Sequence, residues 1–174
     1  MPQVIGMASW PTQSNRARVH GHMDRYFKTG TTPSQQDVQA ILKRLELVMN
    51  GINSKINVKI APDDSAYGYV GVKGGASGIL RGVFSRRHNL VKISGQKLSA
   101  GDIHIDQDTL DDTELSIITF IHEATHKYAG TDDYDDRGYL ENDGLDFQEP
   151  GLTKTEALNN ADSYAWFCYA AYYR

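Results

Sequence analysis

Apolar positions change period along the chain. Over residues 34–50, Val38, Ile41, Leu42, Leu45, Val48 and Met49 recur at the three- and four-residue spacing of one helix face. Ser34 stands where a cap belongs, and Asn50-Gly51 is a pair that ends helices. From Asn57 the period shortens towards two. Residues 58–60, 67–72, 90–93 and 103–106 read as short strands between glycine- and aspartate-rich turns. Two helices follow. One starts near Asp111, with Glu114 as a capping-box partner, and carries Leu115, Ile118, Ile121 and Ala124 to about Tyr128. The other runs from about Thr153 to Tyr172, with Thr153 and Glu156 as its capping box. Residues 129–152 between them form an acidic loop.

Residues 1–32 are polar and read as an irregular arm ahead of one domain over residues 33–174. A helix, a small and mainly antiparallel sheet, and two closing helices predict an α+β domain.

The 174 residues suffice for one core. The net charge of −4 provides no global field for nucleic acid, so no nucleic-acid partner is expected. The basic run around Arg81, Arg86, Arg87 and His88 reads as a solvated turn. The glycines between 71 and 82 fit no phosphate-loop pattern. Cys168 is the single cysteine, which rules out an intramolecular disulfide and fits a reducing compartment. No apolar run approaches bilayer length, so no membrane insertion is expected. The first residues lack the pattern of a signal peptide. The expected setting is cytoplasmic, or export without a cleaved signal.

Candidate chemistry begins with His122-Glu123-Ala124-Thr125-His126, an HExxH placed on a helix. A spacing of four puts both imidazoles on one face, one turn apart, where they can share a zinc ion. Zinc keeps a position for water in such sites, and Glu123 is the residue able to take that water's proton. Glu123 would then deliver the proton to the leaving amine. A third ligand is needed. Asp132 and Asp133, just past the helix end, are one source. Glu156, thirty positions after His126, is another, although it already serves a cap. A metzincin pattern fails, because position 129 is Ala and all four methionines (1, 7, 23 and 49) lie upstream.

Three ordered blocks carry a resemblance to the deuterolysin and peptidyl-Lys metalloendopeptidase family, the aspzincins. They are His122–His126, then Gly130-Thr131-Asp132-Asp133, then Asn160-Ala161-Asp162-Ser163-Tyr164. The resemblance implies a zincin-like fold and a zinc-dependent endopeptidase acting on proteins or peptides. It implies Asp133 as the third zinc ligand, within the family's GTxDxxYG. That block's tyrosine falls on Asp136, and its glycine on Arg137. Tyr139 is therefore taken as the catalytic tyrosine that meets the oxyanion, with Tyr134 in reserve. In the Lys-specific members, acids on the last helix hold the substrate lysine. Asp162 matches one such acid and is taken as substrate-binding, whereas Ala165 occupies the place of the other. A basic residue just after the cut is the expected preference. The same resemblance, without disulfides, looks like a bacterial effector or toxin.

Asp162 also lies on the apolar stripe of Leu158, Ala161, Ala165 and Cys168, where a carboxylate needs a partner. Without the family, it reads as a helix carboxylate bonded to nearby backbone or Tyr, a pocket acid, or a group holding a histidine ring from behind. His20 and His22 read as exposed, and His104 as a surface position on its strand. Asp135, Asp136, Asp143 and Asp146 fit no calcium-loop register and read as solvated. Cys168 reads as inert core. The rival function is a zincin-fold domain that binds a partner without catalysis.

Overall fold

In the computed structural model, residues 13–54, 56–60, 68–70, 102–134, 137–141, 146–147 and 151–174 are described. The expected strand at 90–93 lies outside them.

The first element corrects the irregular arm. Helix α1 (Gln13–Phe27) buries Val19, Met23, Tyr26 and Phe27, which fall on one face at helical spacing. Tyr26 and Phe27 are fully buried, and Phe27 packs on Tyr164 and Phe167. Helix α2 (Gln35–Ile52) starts at the expected Ser34 cap, completed by Asp37 as its capping-box partner. Ile41, Leu45 and Val48 form its buried stripe.

Strands β1 (Val58–Ile60), β2 (Gly68–Val70) and β3 (Ile103–Ile105) form a sheet ordered β1-β3-β2. β2 pairs with β3 antiparallel, but β1 pairs with β3 parallel. The sheet is therefore mixed, not mainly antiparallel. The chain between Ile60 and Ile103 is long enough for the crossover that parallel pairing requires. A separate antiparallel pair, β4 (Leu140–Glu141) with β5 (Asp146–Phe147), lies within the stretch read as a loop.

Helix α3 (Gln107–Asp111) is a short turn capped by Asp106. Helix α4 (Thr113–Ala129) follows, capped by Asp112, not Asp111, through a 3.0 Å bond from the Leu115 N–H. It ends where Gly130 turns left-handed at φ 61°, a conformation glycine adopts without a Cβ clash. α4 is the central element. One side packs on β2, β3 and α2, with Ile103, Ile105, Val48 and Ala124 buried together. The other packs on the last helix, where Ile118 meets the cluster of Tyr164, Ala165 and Phe167.

The single closing helix expected over 153–172 is broken in two. Helix α5 (Lys154–Ala157) keeps the Thr153/Glu156 capping box, and helix α6 (Ala161–Tyr173) begins after Asn160. The break has a partner. Asp132 N–H donates to the Asn159 carbonyl at 2.9 Å, and Ala161 N–H donates to the Asp132 carbonyl at 3.1 Å. The segment after α4 takes over backbone groups that a continuous helix would have used.

Candidate metal centre

His122 and His126 lie on α4 one turn apart, both buried, with ring centroids 4.7 Å apart. Their Nε2 atoms approach to 3.0 Å. Asp133, three residues past Gly130, places Oδ1 3.3 Å from the first and 3.2 Å from the second. Among the described residues that oxygen has no hydrogen-bond partner. His122, His126 and Asp133 form the one group of three potential ligand residues among the described residues, with ligand atoms within 4.8 Å of one another.

The outer nitrogens explain what the inner ones carry. His126 Nδ1 lies 2.8 Å from the Thr131 carbonyl, which can only accept, so Nδ1 holds the proton and Nε2 a lone pair. His122 Nδ1 lies 3.1 Å from Asp162 Oδ1, and the carboxylate sets the same tautomer. Two nitrogen lone pairs and a carboxylate oxygen thus converge on one buried point. Such a set repels itself unless a proton or a cation stands among them, and two imidazoles with a carboxylate suit zinc. The residues present fit the ion.

The electrostatics agree. Burial alone would lower the His122 imidazole, yet the adjacent carboxylate of Asp133, with Asp162 behind, holds it well above its ordinary value. For His126 burial again works downwards, and Asp133 more than reverses it. Burial would raise Asp133, but the two imidazoles keep it below the usual carboxylate range. Glu123 differs. Burial pushes it up to about 7, against the pull of His122 and His126. Its carboxylate is fully buried, and among the described residues neither oxygen has a hydrogen-bond partner. Gly68 makes this packing possible, since a Cβ there would lie 3.2 Å from Glu123 Cγ and 2.7 Å from Thr119 Cγ2.

A family model described as aspzincin, lysine-specific metallo-endopeptidase, matches residues 12–169. The chain belongs to the aspzincin family. Aspzincins are zinc metallopeptidases whose substrates are proteins or peptides. The aspzincin match begins just ahead of α1, so that helix is part of the family's unit. Comparison with curated proteins and with solved structures finds no match. No described helix of this aspzincin is long and apolar enough to cross a membrane.

Against this geometry the remaining expectations sort cleanly. Asp132 is turned outward, where its Oδ2 accepts from Asn159 at 2.9 Å. Glu156 is committed to Thr153 and to Arg137, whose Nη2 lies 3.0 Å away, and these contacts lower it to about 2. It is no ligand. Asp162 is 1% exposed, with Oδ1 on His122 and Oδ2 accepting the Leu140 N–H at 2.9 Å. Both oxygens are engaged inside the protein, and the bond to His122 matches the reading in which this carboxylate holds a histidine ring from behind. Tyr139, beside Leu140, lies parallel to His122 at 14°, centroids 6.1 Å apart. Tyr134 accepts from Asn159 at 3.0 Å. His20 and His22 lie on α1, and His104 on β3 between Lys59 and Tyr69. Thr125 and Thr131 were not singled out by sequence reasoning, although both sit inside its motif blocks.

Proposed function

We propose that the chain is a single catalytic domain hydrolysing internal peptide bonds, with His122, His126 and Asp133 holding one zinc ion. The observation that carries this is the convergence of two imidazole nitrogens and a carboxylate oxygen on one point, with the outer nitrogens of both histidines already committed. Zinc held there supplies Lewis acidity to the scissile carbonyl and to the attacking water. Glu123, next to the first ligand, takes the proton from that water and passes it to the leaving amine. With no hydrogen-bond partner among the described residues, both oxygens are available for that transfer. The Tyr139 hydroxyl donates to the carbonyl oxygen as negative charge gathers there, and the ring's place against His122 supports that role.

A preference for Lys or Arg just after the cut forms the second part of the proposal. Its support is the lysine-specific description of the family, since Asp162 is turned inward and Ala165 is fully buried. The non-catalytic rival draws on a buried ion pair at Glu123, and among the described residues Glu123 makes none. Digestion of an unfolded protein by wild type and by Glu123→Ala, with product ends read by mass spectrometry, tests both parts. Cleavage by both proteins, or by neither with zinc bound, counts against the peptidase. New amino termini without a Lys or Arg bias remove the preference alone.

A further inference from the structure

His122 and His126 are joined a second time, on the side away from their point of convergence. Thr125 Oγ1 donates to the His122 carbonyl at 2.8 Å, so its remaining capacity is to accept. Thr131 Oγ1 lies 2.8 Å from it and must be the donor in that contact. The same Thr131 hydroxyl approaches His126 Nδ1 at 3.3 Å, while the Thr131 carbonyl accepts from that nitrogen at 2.8 Å. The direction of donation is therefore fixed along a buried path from His126 through Thr131 and Thr125 to the backbone of His122.

The contact from Thr125 back to position 122 is ordinary local bonding within a helix. The contact from Thr125 to Thr131 is not. It crosses the left-handed turn at Gly130 and binds the helix to the segment that carries Asp133. Both side chains are buried, at 0% and 6% exposed, where two hydroxyls have a cost unless each is satisfied.

We propose that Thr125 and Thr131 are positioning residues, whose buried hydroxyl pair locks the Asp133 segment onto the helical turn carrying both histidines. This rests on reading His122, His126 and Asp133 as a zinc site. Without the lock, the Thr131 carbonyl and Asp133 two residues on are held near the histidines only through the backbone bonds of Thr131 and Asp132, and their placement loosens.

The test is zinc affinity of the full chain, by competition with a chromogenic chelator, alongside the melting temperature of metal-free protein. Thr125→Val keeps the shape and loses the hydroxyl, and should weaken zinc binding about 10- to 100-fold, with Thr125→Ser staying within about 3-fold of wild type. Thr125→Val/Thr131→Val replaces both hydroxyls by packed methyl groups, so its metal-free melting temperature should return towards wild type while zinc affinity stays weak. Wild-type affinity in Thr125→Val, or its recovery in the double variant, overturns the proposal. If Thr125→Val fails to fold, the double variant and Thr125→Ser decide it. Wild type binding zinc no better than His122→Ala would remove the zinc site and this inference together. Tight wild-type binding unaffected in the threonine variants removes the inference alone.

Discussion

Asp162 Oδ1 holds His122 Nδ1 at 3.1 Å from the first turn of a different helix, with neither side chain appreciably exposed. Its other oxygen fastens the backbone of Leu140. One carboxylate thus orients a candidate metal ligand and anchors the strand that follows Tyr139.

Asp162→Asn keeps the size and removes the charge, and should lower zinc affinity by about 10- to 100-fold. Cleavage by zinc-saturated enzyme should retain the wild-type preference. A variant that binds zinc normally but changes which bonds are cut would return Asp162 to the substrate pocket.

Glu123 is a buried carboxylate with no hydrogen-bond partner among the described residues, a costly arrangement tolerated where function needs it. Glu123→Gln should abolish peptide hydrolysis, a loss of at least about 10²-fold. It should also stabilise the metal-free protein at pH 8, by about 1–3 kcal/mol, because the buried carboxylate is charged there and the amide is not. At pH 5, below the raised value of about 7, the wild-type carboxyl is itself neutral and the two proteins should melt alike. A Gln variant less stable than wild type at pH 8 would show that Glu123 has a structural partner.

On the proposed ligand set, zinc and protons compete for the same nitrogens. In metal-free protein His122 and His126 are raised above 6.5, so the stability they contribute is full below pH 6.5 and is lost as pH climbs through the raised values. Glu123, raised from 4.5 to about 7, acts in the same direction. The metal-free melting temperature should therefore fall between pH 6 and pH 9, while zinc binding tightens and releases protons. Calorimetric titration in buffers of different ionisation enthalpy reads the release directly. Zinc binding without proton release at pH 7 would mean that the imidazoles are already neutral.

The chemistry was legible where it is local. A cap, an apolar stripe and two histidines four apart identify α4 and its face, because each depends only on neighbours in sequence. Asp133 became assignable through the order of the motif blocks, and the structure puts its oxygen beside both imidazoles. What was missed depends on contacts across the chain. Four apolar residues scattered among Arg, His and Asn hid α1, whose burial is set by Tyr164 and Phe167 far downstream. The break before α6 is made by Asp132 capturing backbone groups near Asn160, which no helix propensity records. The parallel β1–β3 pairing likewise depends on a long connection, not on the alternation that marks the strands. Asp162 was assigned to the pocket through the resemblance, while its helix spacing shows only the apolar stripe; the bond to His122 is a contact across the chain.

The two tyrosines make opposite predictions. Tyr139 is stacked on His122, and its neighbour Leu140 is tied to Asp162, so its ring is fixed relative to the candidate metal centre. The Tyr134 hydroxyl instead accepts from Asn159, which also receives Arg44 Nη2 at 2.7 Å, so it belongs to the bracing of the Asp132 segment. Tyr139→Phe should lower kcat by about 10²-fold with KM nearly unchanged, the signature of a donor that acts only as charge develops. Tyr134→Phe should leave kcat within a few-fold and cost about 0.5–1.5 kcal/mol of stability for the lost hydrogen bond. Steady-state kinetics on one internally cleaved peptide, with thermal melts of both variants, separates the roles. The reverse pattern would make Tyr134 the donor to the oxyanion and Tyr139 a packing residue for His122.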